Sequence, residues 1–157
     1  VASQTGYLRD KLQEFRQPTE TSQLADVRFT IVLYHNPAYP SSRDDSEDSS
    51  PDVRRLFPPL FDEFLVPLVF EYHDHTFKRT HPMYNHEVRN NDGVVYIGDG
   101  ALGVKPRTIK TGVAHFAKLS QINYAQFVTV FPNGTCMVES YDIDGVLHDV
   151  VVLNRRF

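Results

Sequence analysis

The sequence predicts an α/β protein in which helices flank a β-sheet and the chain ends in an antiparallel β meander. Over the first two thirds, segments with helical periodicity alternate with short apolar segments typical of buried strands. In the last third, segments of alternating polarity are separated by Asn133-Gly134 and Asp144-Gly145. Both dipeptides are strong signals for tight β-hairpins, so we expect the meander there.

The first predicted elements are a helix and a strand joined by a polar connector. Ser3 to Phe15 places its apolar residues on one helical face and predicts an amphipathic helix that packs on the sheet. Gln17 to Ala25 is polar and contains a proline, which indicates a connector. Arg28 to Tyr34 is rich in β-branched and aromatic residues and predicts a buried strand.

A long loop is predicted from Asn36 to Asp52. It is rich in Ser and Pro, shows no periodicity and carries an acidic run from Asp44 to Asp48. The run lacks the glycine and the terminal glutamate of a calcium-binding loop. We therefore expect a solvated insertion in this part of the domain.

Apolar residues recur at helical spacing from Val53 to Phe64, with a kink expected at Pro58-Pro59. Pro67 to Tyr72 and Gly93 to Ile97 are short apolar segments that predict strands, and the residues between them form a polar stretch. A Gly-rich turn, Gly98 to Gly103, follows. The predicted meander strands are Tyr124 to Phe131, Thr135 to Tyr141 and Val146 to Leu153.

The composition excludes several classes of protein. The 157 residues have ordinary globular usage, which excludes overall disorder. A net charge of −4 gives no broad cationic field, so we expect no nucleic acid as a partner. The longest apolar run, Leu65 to Phe70, is far below the ~20 residues of a membrane-spanning helix, so no membrane partner is expected. A lone Cys136 excludes an internal disulfide and a thiolate zinc cluster.

Histidines follow two of the predicted strands. His35 comes after the first strand, and His73 and His75 come after the second. Ligand sites in open α/β sheets lie outside the carboxyl ends of strands. In an extended segment, residues i and i+2 point the same way, so His73 and His75 are predicted to converge with Asp74 facing away. Such a pair suits Zn, Fe or Mn, although a single histidine is more often a structural or surface residue. The latter interpretation is favoured for the remaining histidines, which are His81, His86, His115 and His148.

The segments around these histidines resemble those of the calcineurin-like metallophosphoesterases, in particular their purple acid phosphatase branch. The resemblance is carried by Ile31-Val32-Leu33 before His35, by Leu68-Val69-Phe70 before His73-Asp74-His75, and by Gly93 to Ile97 before Gly98-Asp99-Gly100. Order and spacing agree from Gln4 to Gly100. The resemblance implies part of a metallophosphoesterase β-sandwich and the hydrolysis of phosphate esters.

Two divalent or trivalent metal ions, Fe, Zn or Mn, are implied by this resemblance, about 3.5–4 Å apart in the complete domain. By resemblance, His35 and His73 would bind one metal and His75 the other. The family's carboxylate ligands and its Gly-Asn-His motif belong to an N-terminal half and do not occur before Gln4. We therefore expect residues 1–157 to be the C-terminal portion of the domain, inactive in isolation and needing the missing N-terminal half as a partner.

Two departures from the family pattern leave an alternative open. Tyr72 stands where the family has glycine, and we expect its side chain to crowd the second metal. The acidic run Asp44 to Asp48 lies where plant-type enzymes place substrate-facing histidines, and we expect it to repel phosphate. The alternative is a non-catalytic binding or structural module derived from the phosphatase fold.

Outside the predicted site, Asn133-Gly134-Thr135 is a candidate glycosylation site that the hairpin turn explains equally well. Together with the resemblance, it predicts a secreted, extracellular or vacuolar protein. The sequence begins with Val1 and shows no signal peptide, so we expect that an upstream segment was removed or that the chain is a piece of a longer protein.

Overall fold

The structure is a computed structural model that describes residues 2–17, 27, 29–47, 49–98 and 100–154. Most of the predicted connector Gln17 to Ala25 therefore lies outside the described residues. So do Arg28 of the first predicted strand, Asp48 of the acidic run and Asp99 of the Gly-rich turn.

Helices flank the first strands, and strands fill the remainder of the chain. The helices are α1 (Ala2–Arg16), α2 (Ser50–Leu56) and α3 (Pro58–Glu63). The strands are β1 (Ile31–Leu33), β2 (Leu68–Glu71), β3 (Phe77–Thr80), β4 (Met83–Tyr84), β5 (Glu87–Val88), β6 (Val95–Gly98), β7 (Phe116–Ser120), β8 (Tyr124–Val130), β9 (Thr135–Asp142) and β10 (Leu147–Asn154).

The central sheet is mixed, with five strands in the order β1-β2-β6-β3-β7. β1, β2 and β6 are parallel, with Val32 opposite Val69 and Val69 opposite Tyr96. β3 runs antiparallel to both β6 and β7. The carboxyl ends of the three parallel strands therefore meet at one edge of the sheet.

The two faces of this sheet are covered by different layers. On one face, Val69 and Tyr96 belong to a core that includes Leu12 of α1 and the apolar residues of α2 and α3. On the other face, Phe70 and Ile97 pack against the second sheet, an antiparallel meander in the order β10-β9-β8. Burial on both faces explains why β2 and β6 are continuous apolar runs in the sequence. The predicted α/β class with flanking helices and a C-terminal meander is confirmed.

Local turn chemistry forms both predicted hairpins. Gly134 and Gly145 have φ values of 84° and 77°, a left-handed conformation that glycine adopts without strain. The prolines divide the second predicted helix into α2 and α3, with Pro58 in the first turn of α3. There the missing amide of a proline removes no helical hydrogen bond.

Two expectations about polar segments are wrong. The stretch between His75 and Gly93 contains β3, which pairs with β6 and β7, and it contains β4 and β5, which pair with each other. The predicted insertion Asn36 to Asp52 is solvated only in part, because Ala38 and Ser41 are completely buried. Buried carboxylates satisfy its backbone amides, as described below.

The two sheets leave apolar side chains exposed at one margin. Leu33 of β1 is 62% exposed, while Val128 and Val130 of β8 are 40% and 45% exposed. Val128 lies opposite Val138, which is buried between the sheets, so Val128 also faces the inner side.

Among the described residues, no helix is both long and apolar enough to cross a membrane.

Gly98 permits a close backbone approach between β6 and β2. Its φ is +129°, and a Cβ atom there would lie 2.3 Å from the carbonyl oxygen of Glu71. We expect Gly98→Ala to lower the free energy of unfolding by about 2 kcal/mol or more, measured by urea denaturation. The control is Gly6→Ala in α1, where a Cβ meets no atom within 4 Å. Helix propensity should make that change stabilising by up to about 1 kcal/mol. Equal urea midpoints for Gly98→Ala and the unsubstituted protein would contradict the close approach of the β6 and β2 backbones at Gly98.

Candidate functional site

Two of the three predicted metal-binding histidines are in contact. Nε2 of His35 lies 3.0 Å from Nδ1 of His73, and their ring centroids are 4.9 Å apart. The sheet ladder brings them together, because Tyr34 N donates to Phe70 O at 3.1 Å and Tyr72 N donates to His35 O at 3.0 Å. The two imidazoles thus lie at the carboxyl ends of neighbouring parallel strands, although 38 residues separate them.

His73 and His75 lie on one loop. The extended backbone that the sequence predicted for this loop is wrong. His73 and His75 have φ values of 82° and 56°, in the left-handed region. Non-glycine residues rarely adopt this conformation, which costs of order 1 kcal/mol or more at each position. It persists only where the surrounding structure holds the backbone in place.

Asp74 supplies part of that support from inside the protein. Its side chain is completely buried. Its Oδ2 accepts hydrogen bonds from Ser41 N at 2.6 Å and Ser42 N at 2.9 Å, while Oδ1 lies 3.4 Å from Nε of Arg43. The carboxylate therefore ties the His73–His75 loop to residues 41–43, the inner part of the preceding loop.

A buried ion pair supports both ends of the same loop. Lys78 donates to Glu71, and both side chains are completely buried. Lys78 Nζ also donates to Tyr39 O at 2.5 Å, and Glu71 accepts from Ala38 N at 2.8 Å and from the Tyr34 hydroxyl. The pair therefore joins β2 and β3 to residues 38–39 and to the residue before His35.

Burial and the neighbouring Glu71 carboxylate raise the pKa of Tyr34 well above its ordinary value. Its hydroxyl thus stays protonated and donates to Glu71. The sequence argument singled out neither Glu71 nor Lys78. The sequence did contain a signal for this pair. A glutamate at the end of a strand that is buried on both faces requires a buried cation or several hydrogen-bond donors.

His75 lies in electropositive surroundings. Its backbone oxygen accepts from Arg107 N at 3.0 Å. Burial lowers the pKa of the imidazole below its ordinary value, and the charges of Arg107, His73 and Arg43 lower it further. Neutral imidazole is therefore favoured near pH 7, and this is the form that binds metal ions.

Tyr72 and the acidic run are the two departures from the family pattern. The half-buried Tyr72 packs beside Gly100, where an added Cβ would lie 3.4 Å from the Tyr72 side chain. Asp45 forms ion pairs with Lys110 at 2.5 Å and Arg54 at 3.8 Å. The expected repulsion of phosphate by the acidic run is thus reduced by two cations that lie against it.

The described residues do not by themselves fit a centre of two metal ions. Among them, no group of three or more His, Cys, Asp or Glu side chains is placed to hold a metal ion. Two cations also repel each other strongly unless carboxylates lie between them. The roles of His35, His73 and His75 as metal ligands stay a prediction.

The other predicted residues lie away from this contact. His81 and His86 are exposed, as expected for solvated loop residues. Nε2 of His148 lies 2.7 Å from Oγ of Ser120, a contact typical of a structural histidine. Asn133 is exposed in the β8–β9 hairpin and accepts from Thr135 N at 3.0 Å, and its glycosylation stays a prediction.

Solved structures with a similar fold are known. The purple acid phosphatase PPD1 from yellow lupin (Lupinus luteus) seeds matches with a TM-score of 0.80 and 18% identity, over 98% of this chain and 28% of that chain. This chain has the fold of part of a purple acid phosphatase. GAP50, the anchor in the inner membrane complex of Plasmodium, matches with a TM-score of 0.70 and 15% identity, over 98% of this chain and 42% of that chain.

No protein-family model and no curated protein sequence matches the chain. At identities of 18% and 15%, the likeness to purple acid phosphatase PPD1 and to GAP50 shows the fold alone. The chain spans less than half the length of either structure, so the activities of the whole proteins do not transfer to it directly.

Breaking the buried ion pair should be strongly destabilising. We expect Lys78→Met to lower the free energy of unfolding by about 3–5 kcal/mol, because Glu71 is left as an uncompensated buried charge. The double variant Glu71→Gln/Lys78→Met should recover at least about 1 kcal/mol, since glutamine still accepts from Ala38 and Tyr34. Chemical denaturation of Lys78→Met, Glu71→Gln and the double variant measures this coupling. Strictly additive losses would contradict the pair.

His115 should make stability depend on pH. Burial lowers its pKa to about 4; the charge of Asp45 opposes this, and those of Lys78, Arg54 and Lys110 add to it. The unfolded chain, with a histidine pKa of about 6.5, therefore binds a proton that the folded chain does not. The full pKa difference corresponds to about 3 kcal/mol, and because solvent screens the half-buried imidazole, we expect stability to fall by about 1–2 kcal/mol as the pH drops from about 6.5 to 4.

Urea denaturation across this pH range, with His115→Gln, measures the contribution of His115. The variant should lose this component of the pH dependence. His81→Gln, at an exposed position, should retain it. A profile unchanged by His115→Gln would contradict the buried neutral state.

Proposed function

We propose that this chain supplies the histidine-bearing part of a metal-dependent phosphate-ester hydrolase. The observation that carries the proposal is the contact between His35 and His73 at the carboxyl edge of the parallel strands, in a fold that matches a purple acid phosphatase over 98% of the chain. Ligand sites of open α/β sheets lie at this edge. We propose His75, two residues after His73 on the same loop, as a third imidazole of the complete site.

Iron, zinc or manganese is the proposed metal, because imidazole nitrogen suits these ions and the chain has no thiolate pair. In a complete site, two such ions would activate water and stabilise the departing charge. The described residues lack the carboxylates that such a site needs, so we propose that these come from another polypeptide segment. The role of this chain is to hold the imidazoles in place through the buried Asp74 and Glu71.

The margin of the two sheets is the proposed contact with that segment. β1 pairs with β2 and, within the described residues, with no other strand. An edge strand with an exposed Leu33 is a template for further pairing. Val128 and Val130 enlarge this apolar margin, which a carboxylate-bearing partner would cover. We further propose a secreted, extracellular or vacuolar location, consistent with the exposed Asn133.

A second candidate function is a non-catalytic binding or structural module. It is favoured by the lack of a three-ligand metal group among the described residues and by the likeness to GAP50, an anchor protein. The two candidates differ in what happens when the missing ligands are supplied. Turnover appears only if the chain belongs to an enzyme.

Hydrolysis of an activated aryl phosphate with added zinc, iron or manganese tests the proposal. Residues 1–157 alone should be inactive, because the described residues place no metal-binding set of carboxylates at the histidines, whereas a longer chain that carries such carboxylates should turn over the substrate. His73→Ala in the longer chain should reduce the rate by about two orders of magnitude or more. His81→Ala, at an exposed position, should not change it. Metal-dependent turnover by residues 1–157 alone would contradict the proposal, and an inactive longer chain would favour the module.

A further inference from the structure

A basic groove lies beside the His73–His75 loop. Its volume is about 750 Å³, and it is lined by residues 105–110 together with Ser42 and Gln121. The charged side chains of this lining are Lys105, Arg107 and Lys110, and all three are cationic. The groove is open to solvent along much of its length.

Backbone hydrogen bonds fix the position of the basic groove relative to the histidines. Arg107 N donates to His75 O at 3.0 Å, and Lys110 N donates to Ser41 O at 2.8 Å. Ser41 in turn is bound by the buried Asp74, the residue between His73 and His75. The cationic segment and the histidine loop are therefore attached to the same buried carboxylate network.

The acids next to the basic groove are bound by cations, one of which, Lys110, lines the groove itself. Asp45, at its edge, pairs with Lys110 and Arg54. Lys105 and Arg107 are therefore the lining cations that this acid does not neutralise. Asp74 is completely buried and lies 3.4 Å from Nε of Arg43. Arg107 is held next to the histidine loop by the hydrogen bond of its backbone amide to His75 O. The basic groove is thus a local positive site on a protein whose net charge is −4.

We propose that the basic groove binds an anionic group of a small phosphorylated molecule. Arginine matches the geometry of phosphate oxygens with paired donors, and lysine adds a point charge. A nucleic acid is a poorer fit, because its binding relies on many phosphate contacts and a broad positive surface, whereas this groove has three cations on an acidic protein.

The basic groove lies beside the histidines, so it also indicates which phosphate esters the site would prefer. This substrate assignment rests on the proposed function. The preferred substrate is a phosphate ester with a second anionic group. Its scissile phosphate reaches the histidines while the second group occupies the basic groove. Simple aryl phosphates lack that second group and bind more weakly.

Binding of inorganic pyrophosphate, followed by calorimetry at low salt, tests the groove without requiring turnover. Arg107→Gln and Lys105→Gln should each weaken binding about ten-fold, as expected for the loss of one charge-assisted hydrogen bond. Arg107→Lys should restore part of the affinity. The matched control is Arg55→Gln, an exposed cation on α2 paired with Asp52, and it should bind as the unsubstituted protein does.

His73→Ala separates this inference from the proposed function, because it removes a proposed metal ligand and leaves the groove intact. Pyrophosphate binding that survives in His73→Ala and is lost in Arg107→Gln supports the groove, even if no form of the protein hydrolyses an ester. Equal affinity of Arg107→Gln and the unsubstituted protein, or no binding by the unsubstituted protein, overturns it. In an active longer chain, Arg107→Gln should raise KM for a substrate with two anionic groups and leave KM for an aryl phosphate unchanged. Equal effects on both overturn the substrate assignment.

Discussion

The buried pair of Glu71 and Lys78 determines how the segments around the histidines meet. Removing two charges from water costs several kcal/mol for each ion, and this cost is offset only where further hydrogen bonds complete the pair. Here those bonds come from Tyr34, Ala38 and Tyr39, so the end of β1 and the following loop must close over the pair. The same requirement explains why a proline- and serine-rich segment is buried where its composition predicts solvent exposure.

The strained conformation of the histidine loop follows from this arrangement. Glu71 and Lys78 anchor the loop at its two ends, and Asp74 anchors its middle to Ser41 and Ser42. Between these three fixed points the backbone makes left-handed turns at His73 and His75. The buried polar contacts offset the conformational strain of these two turns. They hold the imidazole of His73 in one position against His35.

Elements determined by local sequence were predictable, and those determined by distant partners were not. The hairpins follow from glycine in a left-handed turn, and the apolar strands follow from burial on both faces. β3 was missed because Lys78 and Arg79 look like surface residues until their partners, Glu71 and Asp149, are known. For the site, the contact of His35 with His73 could be predicted from two strand ends. The orientation of His75 could not, because buried carboxylates turn the loop out of the extended geometry that the His-x-His spacing suggests.

Two chemically different surfaces adjoin the histidine loop. Tyr72, before the loop, lines an apolar cavity with Leu33 and Val128, whereas His75 is hydrogen-bonded through its backbone to the cationic segment that forms the basic groove. Apolar surface favours a polypeptide partner, because its burial is non-directional and grows with area. Cationic surface favours a soluble anion, which diffuses in and out without ordering a chain. A partner that covers Leu33 and Val128 would thus approach the histidines from the Tyr72 side and leave the His75 side open to a phosphorylated ligand. The division of the loop between these two surfaces is what makes the proposals for partner and ligand compatible in a single complex.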